Sequence, residues 1–352
     1  MSSTLPLPDF AHERVEVTTG TRSGLVITVA LHSSVLGSAL GGARLWTYPH
    51  WSDAVGDALR LSAAMTLKNA AAGLDAGGGK SVIHLPAGTV LDAERRRAAY
   101  LDLGDAVERF GGLYRTAEDV GSTAEDMHTV SERTSHVVGL PSAAGGSGEP
   151  AVPTSVGVHE AIRATLERVH GSPDAEGRRI TISGLGQVGG RLAQKLAAEG
   201  AQLTVTDVNP AKRDVAASLG ATWIEPGTEH LVPADVFVPA GIGGVLTDAV
   251  IDALDAKAVC GPANNPLAEH SGAERLAARG ILYAPDFVVN GGGVIYLDLV
   301  AKGLGTMEEI MARVAGIGDA LRRIYEEAES RAITPLAAAE QLAAERLSAG
   351  RI

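Results

Sequence analysis

Cysteine is nearly missing from this chain of 352 residues. Cys260 is the only one, which excludes an internal disulfide and points to a reducing, cytoplasmic setting. On an apolar strand it reads as a small core residue, because no base beside it would make it a nucleophile. Long apolar runs are missing too. Segments such as Leu25–Leu31 are strand-length and too short to span a bilayer, so no membrane association is expected. The first residues lack a basic stretch followed by an apolar one, so no signal peptide is expected. Positive charge is in deficit: 30 Lys and Arg stand against 42 Asp and Glu, a formal net charge of −12. An acidic surface repels phosphate backbones, and nucleic acid is not expected as a partner. The 10 histidines, His32, His50 and His84 among them, show no metal-ligand spacing. Low-complexity blocks and solenoid-period repeats are lacking as well, which leaves a globular chain long enough for two domains.

What is present begins with Met65–Lys80, MTLKNAAAGLDAGGGK. Lys68 ends a helical stripe of Ala54, Ala58, Leu61 and Met65 at three- and four-residue spacing. Lys80 reads as closing a triple-glycine turn. A lysine in an apolar, glycine-rich setting loses part of its preference for the charged form, and its pKa falls toward neutrality. Such a side chain serves as a general base or a carboxylate anchor. Taken singly, Lys68 could snorkel to solvent and Lys80 could stand exposed beyond the glycines. Asp119, in TAEDVGST, and Asn264, in GPANN, could each be turn formers or caps. Only jointly do the four suggest chemistry.

The first part of the chain reads as mixed α/β. Strands are expected at Gly24–Ser34, Ala43–Tyr48 and Ser81–Leu85, with a helix running from a Ser52 N-cap to Gly73 and another over Ala93–Phe110. Pro141–Ser155 is rich in Gly, Ser and Pro and reads as the crossing between domains, with a helix from Val156 to about His170 after it. From Arg179 the pattern becomes strand (Ile180–Ile182), helix (Val188–Glu199), strand (Gln202–Thr206), followed by short strands at Val236–Val238, Ala258–Cys260 and Ile281–Tyr283. This alternation predicts a parallel sheet with helices on its faces. Met307–Leu347 reads as a helical tail.

Gly184, Gly186 and Gly189 form G-x-G-x-x-G, with Gly190 beside the last, between an apolar strand and the start of a helix. Glycines admit the backbone to a pyrophosphate, and the helix N-terminus offers unpaired N–H groups and the positive end of its dipole. Asp207 ends the next strand, where a carboxylate binds both ribose hydroxyls and repels the extra phosphate of NADP. NAD is therefore the expected cofactor. Glycines kept for helix–strand packing alone are the alternative.

Seven blocks in order carry a resemblance: LGGARLW (Leu40–Trp46), MTLKNAAAG, GGGKSVI, AEDVGSTAEDM (Ala117–Met127), GLGQVGG, GPANNPLAE (Gly261–Glu269) and ILYAPDFVVNGGGVI (Ile281–Ile295). Over almost its full length the chain resembles the glutamate/leucine/phenylalanine/valine dehydrogenase family. The resemblance implies an α/β fold of two domains: an N-terminal α/β substrate domain over 1–140, a Rossmann-type doubly wound NAD domain over 141–330, and a C-terminal helix over 331–352 packing back on the first. The active site is then the cleft between the domains, and the chain a homo-oligomer, dimer, tetramer or octamer. The chemistry implied is reversible oxidative deamination of an L-amino acid to its 2-oxo acid and ammonia. Lys68 would hold the α-carboxylate, Lys80 would act as general base on water, and Asp119 would shuttle protons at the departing nitrogen. Asn264 would orient the substrate, and Gly42 would line the pocket. Gly184, Gly186, Gln187, Val188, Gly189, Asp207, Thr154, Ala240 and Asn264 would contact NAD.

Glutamate members carry a lysine directly before the Gly-Gly pair, where this chain has Leu40, and Val294 and Leu297 match pocket positions; all three are apolar. A second carboxylate would be buried unpaired there at high cost, so an apolar amino acid is expected. SVIHLP, ILYAPDFV and AGIGDAL resemble phenylalanine dehydrogenases, whereas KNAAAGLD and Val294 resemble the branched-chain enzymes. L-Phenylalanine is the first expectation and leucine or valine the alternative. Three departures stand out: Ala43 for a common threonine, Ala240 for a cysteine, and Gly291 for an alanine in a run bordering the pocket. The rivals are a hydroxy-acid dehydrogenase, which would rely on His or Arg in place of paired lysines, and a non-catalytic NAD-binding protein, which would be expected to lack Lys80 or Asp119.

Overall fold

The computed structural model describes residues 11–141 and 149–350. The glycine- and serine-rich centre of the expected crossing, 142–148, lies outside them. Two compact units result: Met1–Glu149 with Leu297–Leu304 and Ala343–Ile352, and Pro150–Tyr296 with Gly305–Leu342.

The first unit contains β1 (Arg14–Thr19), β2 (Val26–Ser33), β3 (Ala39–Tyr48), α1 (Trp51–Ala71), β4 (Gly78–Pro86), α2 (Ala93–Glu108), β5 (Tyr114–Glu118) and α3 (Ala124–Ser131). Its sheet has the order β1-β2-β4-β3-β5. The β1–β2 and β2–β4 pairs are antiparallel, whereas β3 runs parallel to both β4 and β5. Side chains alternate across a strand. Ile27, Val29, Leu31, Ala39, Ala43, Leu45 and Ile83 pack on α2 and α3 through Tyr100, Leu103, Val107, Met127 and Val130. The opposite face, with Ala30, Tyr48 and Val82, packs on Ala54, Ala58 and Leu59 of α1.

Three expectations for this unit need correction. The N-cap of α1 is His50, not Ser52: the His50 side chain accepts from Ser52 N, and Asp53 closes a capping box. Lys80 does not close a turn but lies inside β4, two residues in from its start. The glycines before it serve close approach. A Cβ on Gly77 would stand 1.9 Å from the Ser33 carbonyl oxygen, one on Gly78 2.1 Å from Thr66 N, and one on Gly79 2.5 Å from the Tyr114 ring. Finally, β1 has no counterpart in the expected elements, and β3 begins four residues earlier than the expected Ala43.

The second unit starts with α4 (Ala151–His170), so the last five residues of the expected crossing are helical. Pro153 is tolerated there because the first turn has no intrahelical partner for its N–H. Next come β6 (Arg179–Ser183), α5 (Gln187–Ala198), β7 (Gln202–Thr206), α6 (Arg213–Ser218), β8 (Thr222–Trp223), β9 (Ala234–Pro239), α7 (Asp248–Ala253), β10 (Ala256–Val259), α8 (Gly272–Ala278), β11 (Leu282–Tyr283) and α9 (Asp286–Val289). The six strands are parallel in the order β11-β10-β9-β6-β7-β8. This is the doubly wound arrangement, with the reversal of strand order between β6 and β9. Cys260 follows β10 and is buried, which pushes its thiol pKa up to about 12.

The end of the chain forms α10 (Gly292–Ala301), α11 (Met307–Ala315), α12 (Ile317–Arg331) and α13 (Pro335–Ala349). The expected boundaries at 330 and 331 differ from the observed grouping. Leu297–Leu304 groups with the first unit, where buried Asp298 accepts from Arg115 of β5 and from Lys302 Nζ at 2.8 Å, and Lys302 also donates to the Asp75 carbonyl. The last residues of α13 group there too, and Arg346 donates to the Ala70 carbonyl and to Asp75. Among the described residues, no helix is long and apolar enough to cross a membrane.

Candidate active site

Period-two alternation decides which residues of the first unit meet. The register sets Leu40 beside Gly78 and Ala43 beside Ser81, so Gly42 falls beside Lys80. Leu40, Gly42 and Arg44 therefore share the α1 face with Lys80, while Ala43 points to the opposite core. The expected Ala43 departure thus lies away from the site. Leu40 is fully buried, and its carbonyl accepts from Asn69 Nδ2.

The centre of this face is an ion pair: Lys80 Nζ lies 2.8 Å from Asp119 Oδ2. Lys80 comes from β4 and Asp119 from the turn after β5, with β3 between them. The pair closes over β3 at Gly42. A Cβ there would stand 2.6 Å from the Asp119 Cβ and 3.0 Å from the Glu118 carbonyl oxygen. The glycine is the gap through which the two charges meet. Asp119 is further fixed by its own N–H, which donates to Ser122 Oγ at 2.8 Å.

Lys80 is 4% exposed. Burial holds its pKa below the ordinary lysine value; the Asp119 carboxylate opposes this, and the Arg44 guanidinium adds to it. Burial alone would raise the Asp119 pKa, but the cations of Lys80 and Arg44 outweigh it and hold the carboxyl below its usual range. Arg44 was not singled out by sequence reasoning. Its Nε donates to Asp119 Oδ2 at 3.0 Å and its Nη1 to Asp57 Oδ2 at 2.9 Å. Its place two residues after Gly42, on the same strand face, was the available signal. Lys68 is half-buried in the last turn of α1. Leu297 is buried in α10 and groups with this unit.

In the second unit, the expected dinucleotide residues sit at the switch point of the sheet. Gly184 has φ +114°, which favours glycine, and a Cβ on it would stand 2.9 Å from the Ala240 carbonyl carbon. Gly189 lies against the Gly184 carbonyl oxygen, 2.1 Å from where a Cβ would be, and its added Cβ would also meet Ala240. Gly186 is the N-cap of α5, and nothing approaches its Cβ position within 4 Å. Gln187 and Val188 form the first turn of α5, with N–H groups that have no partner within the helix. The site therefore presents an open backbone cradle at a helix N-terminus, the donor set that a pyrophosphate requires. Asp207 follows β7. Its Oδ2 accepts from Leu185 N at 2.7 Å and its Oδ1 from Asn209 N at 2.8 Å.

The remaining residues of this unit fall into two groups. Thr154, in the first turn of α4, donates its hydroxyl to the Pro150 carbonyl and lies against Gly293. Gly292 packs on Pro153 and Thr154 in the same way, so the glycine run is used for close helix packing. Asn264 is exposed, and its Oδ1 accepts from Asn290 Nδ2 at 2.9 Å, which orients the amide. Asn290 is buried, and sequence reasoning did not single it out. Val294 is buried in the first half of α10.

The sequence profile described as "Glu/Leu/Phe/Val dehydrogenase, dimerisation domain" matches residues 10–136, and that described as "Glutamate/Leucine/Phenylalanine/Valine dehydrogenase" matches 204–351. A valine dehydrogenase from Streptomyces albus is 41% identical over 97% of this chain and 93% of its own length. A phenylalanine dehydrogenase from Bacillus thermotolerans is 38% identical over 96% of this chain and 89% of its own. The crystal structure of L-tryptophan dehydrogenase from Nostoc punctiforme aligns with a TM-score of 0.82 at 34% identity, covering 97% of each chain. The chain belongs to the Glu/Leu/Phe/Val dehydrogenase family of amino acid dehydrogenases.

Proposed function

We propose that this protein catalyses the NAD-dependent, reversible oxidative deamination of an apolar L-amino acid to its 2-oxo acid and ammonia. The observation that carries the reading is the buried Lys80–Asp119 pair meeting across Gly42. When bound, the dinucleotide supplies a hydride acceptor, held by the cradle of Gly184, Gly186, Gln187, Val188 and Gly189, with Ala240 beside it. Asp207 would take the ribose hydroxyls, which favours NAD over NADP. Thr154 would accept a hydrogen bond through its hydroxyl oxygen, since its proton is committed to Pro150.

The chain's own residues divide the remaining work. The ammonium of Lys68 anchors the substrate carboxylate. Lys80, neutral in its working state, takes a proton from the water that adds to the substrate's imine carbon. Asp119 gives and takes a proton at the substrate nitrogen. Its Oδ2 is committed to Lys80 and Arg44, and among the described residues no hydrogen bond reaches its Oδ1. Asn264 orients the substrate through an amide that Asn290 holds in place.

For the side chain, a branched aliphatic substrate, valine or leucine, is the first reading. The valine dehydrogenase relative supports it, as do KNAAAGLD and Val294. Phenylalanine is the second reading, supported by the relative of that name. Leu40 and Leu297, both buried in the first unit, would present an apolar surface to any of these. One methylene discriminates by only about 1–3 kcal/mol in an apolar pocket, so overlapping ranges are expected. A plate of L-amino acids with NAD, followed at 340 nm, tests substrate, cofactor and activity together. A plate in which none of the amino acids reduced NAD would overturn the reading. Reduction with phenylalanine far above valine and leucine would reverse the order of the two.

A further inference from the structure

Arg44 is the one guanidinium bonded to Asp119 among the described residues, and it is itself held between two carboxylates. Its Nε and Nη1 reach Asp119 and Asp57. Asp57 Oδ2 accepts in addition from Tyr48 OH at 2.6 Å, and Asp57 Oδ1 from Arg60 Nη2 at 2.6 Å. A chain of hydrogen bonds thus runs from exposed Arg60 on α1 through Asp57 and Arg44 to the carboxylate oxygen that Lys80 uses. Arg44 keeps its charge at any working pH. Its planar fork is fixed by two carboxylates, so the charge stands at one place beside the pair.

Resting on the proposed roles of Lys80 and Asp119, we propose that Arg44, locked by Asp57 and Tyr48, is a positioning residue that sets which member of that pair carries the proton. Its fixed cation keeps Asp119 anionic and disfavours a second cation on Lys80, so that Lys80 can release its proton. Burial is the largest influence lowering the Lys80 pKa, and the Arg44 cation acts in the same direction. The other groups around Lys80 come from several elements. The turn after β5 brings Asp119, whereas Tyr114 and Glu118 of β5 share the opposite sheet face with Ala43. From α1 comes Asp57, to which Arg60 is bonded. From β2 comes His32, bonded to Thr66 Oγ1. Removing Arg44 leaves Asp119 as the dominant neighbour of Lys80, and an anion favours the ammonium.

The test titrates Lys80 without substrate. Trace acetylation with acetic anhydride across pH, read by mass spectrometry on the Lys80 peptide with exposed Lys195 as internal reference, gives the midpoint for release of the proton. In Arg44→Met the midpoint is expected to rise by about one pH unit. With substrate, kcat at pH 8 falls about tenfold and the deficit narrows as pH rises. Arg44→Gln repeats the test with a polar neutral side chain. Asp57→Asn keeps the Arg44 charge while removing its anchor and an anion, so the midpoint does not rise. An unmoved midpoint in both Arg44 variants, a loss of kcat that is the same at every pH, or an equal rise in Asp57→Asn would overturn the proposal. A protein that turned over no amino acid would instead sink the proposed function, and the titration of Lys80 would still be read.

Discussion

The candidate site of the first unit is made of side chains, and that of the second is made of backbone. Lys80, Asp119 and Arg44 bring three charges onto one sheet face, two of them contacting a single carboxylate oxygen. Gly184, Gly186 and Gly189 bring N–H groups and space, and Asp207 is the charged side chain that braces them. The two kinds of site fail in opposite ways. A side-chain site is broken by subtraction, because the group that moves the proton is gone. A backbone site is broken by addition, because a single methyl fills the space that a ligand or a neighbouring strand needs.

Subtraction gives the largest expected effect. Lys80→Ala should lower kcat by about 10³- to 10⁴-fold, the upper range for a lost general base, while the NADH Kd measured by fluorescence stays at the wild-type value. A parallel loss of NADH binding would mean that the two sites are not chemically separate. Gly42→Ala attacks the same pair by addition. Its Cβ would press on Asp119 and the Glu118 carbonyl, separating Asp119 from Lys80 with both groups still present. About a 100-fold loss of kcat is expected, the scale of a misplacement near 1 Å, with the circular dichroism spectrum unchanged. Gly189→Ala carries addition into the second unit, where the new Cβ would collide with the Gly184 carbonyl. Overpacking costs about 1–3 kcal/mol, so NADH Kd should rise about tenfold to a hundredfold, and the trace-acetylation midpoint of Lys80 should not move. A shifted midpoint would contradict the separation.

The same contrast explains what was legible in the sequence. The second unit was readable in five of its six strands; β8, two residues long, had no counterpart in the expected elements. Its parallel strands are short apolar runs, and the glycines at β6–α5 stand where strand gives way to helix; Gln202–Thr206 is β7 as expected. In the first unit glycine has two meanings that composition does not separate. Gly77, Gly78 and Gly79 read as a turn, yet Gly77 leads directly into β4 and the other two begin it, where Ser33, Thr66 and Tyr114 leave no room for a side chain. The long reach between Arg44 and Asp57 could not be seen without knowing that α1 covers that face. Lys80 and Asp119 were singled out in the sequence, but the reason they meet is Gly42, and that reason is a register between three strands.

The smallest effect tests the one side chain in the backbone site. Asp207→Ala removes the acceptor for the Leu185 and Asn209 amides and, on the proposed reading, the partner of the ribose hydroxyls. A hydrogen bond to a charged group contributes about 1.5–3 kcal/mol, and loosening of the loop replaces part of it with water, so a rise of about tenfold in NADH Kd is expected. NADPH should respond in the other direction. With the carboxylate gone its extra phosphate no longer meets a fixed anion, and the ratio of the two Kd values should narrow. If both Kd values rose by the same factor, Asp207 would be acting only through the Leu185 and Asn209 amides. The second site would then be built of backbone throughout, in full contrast with the first.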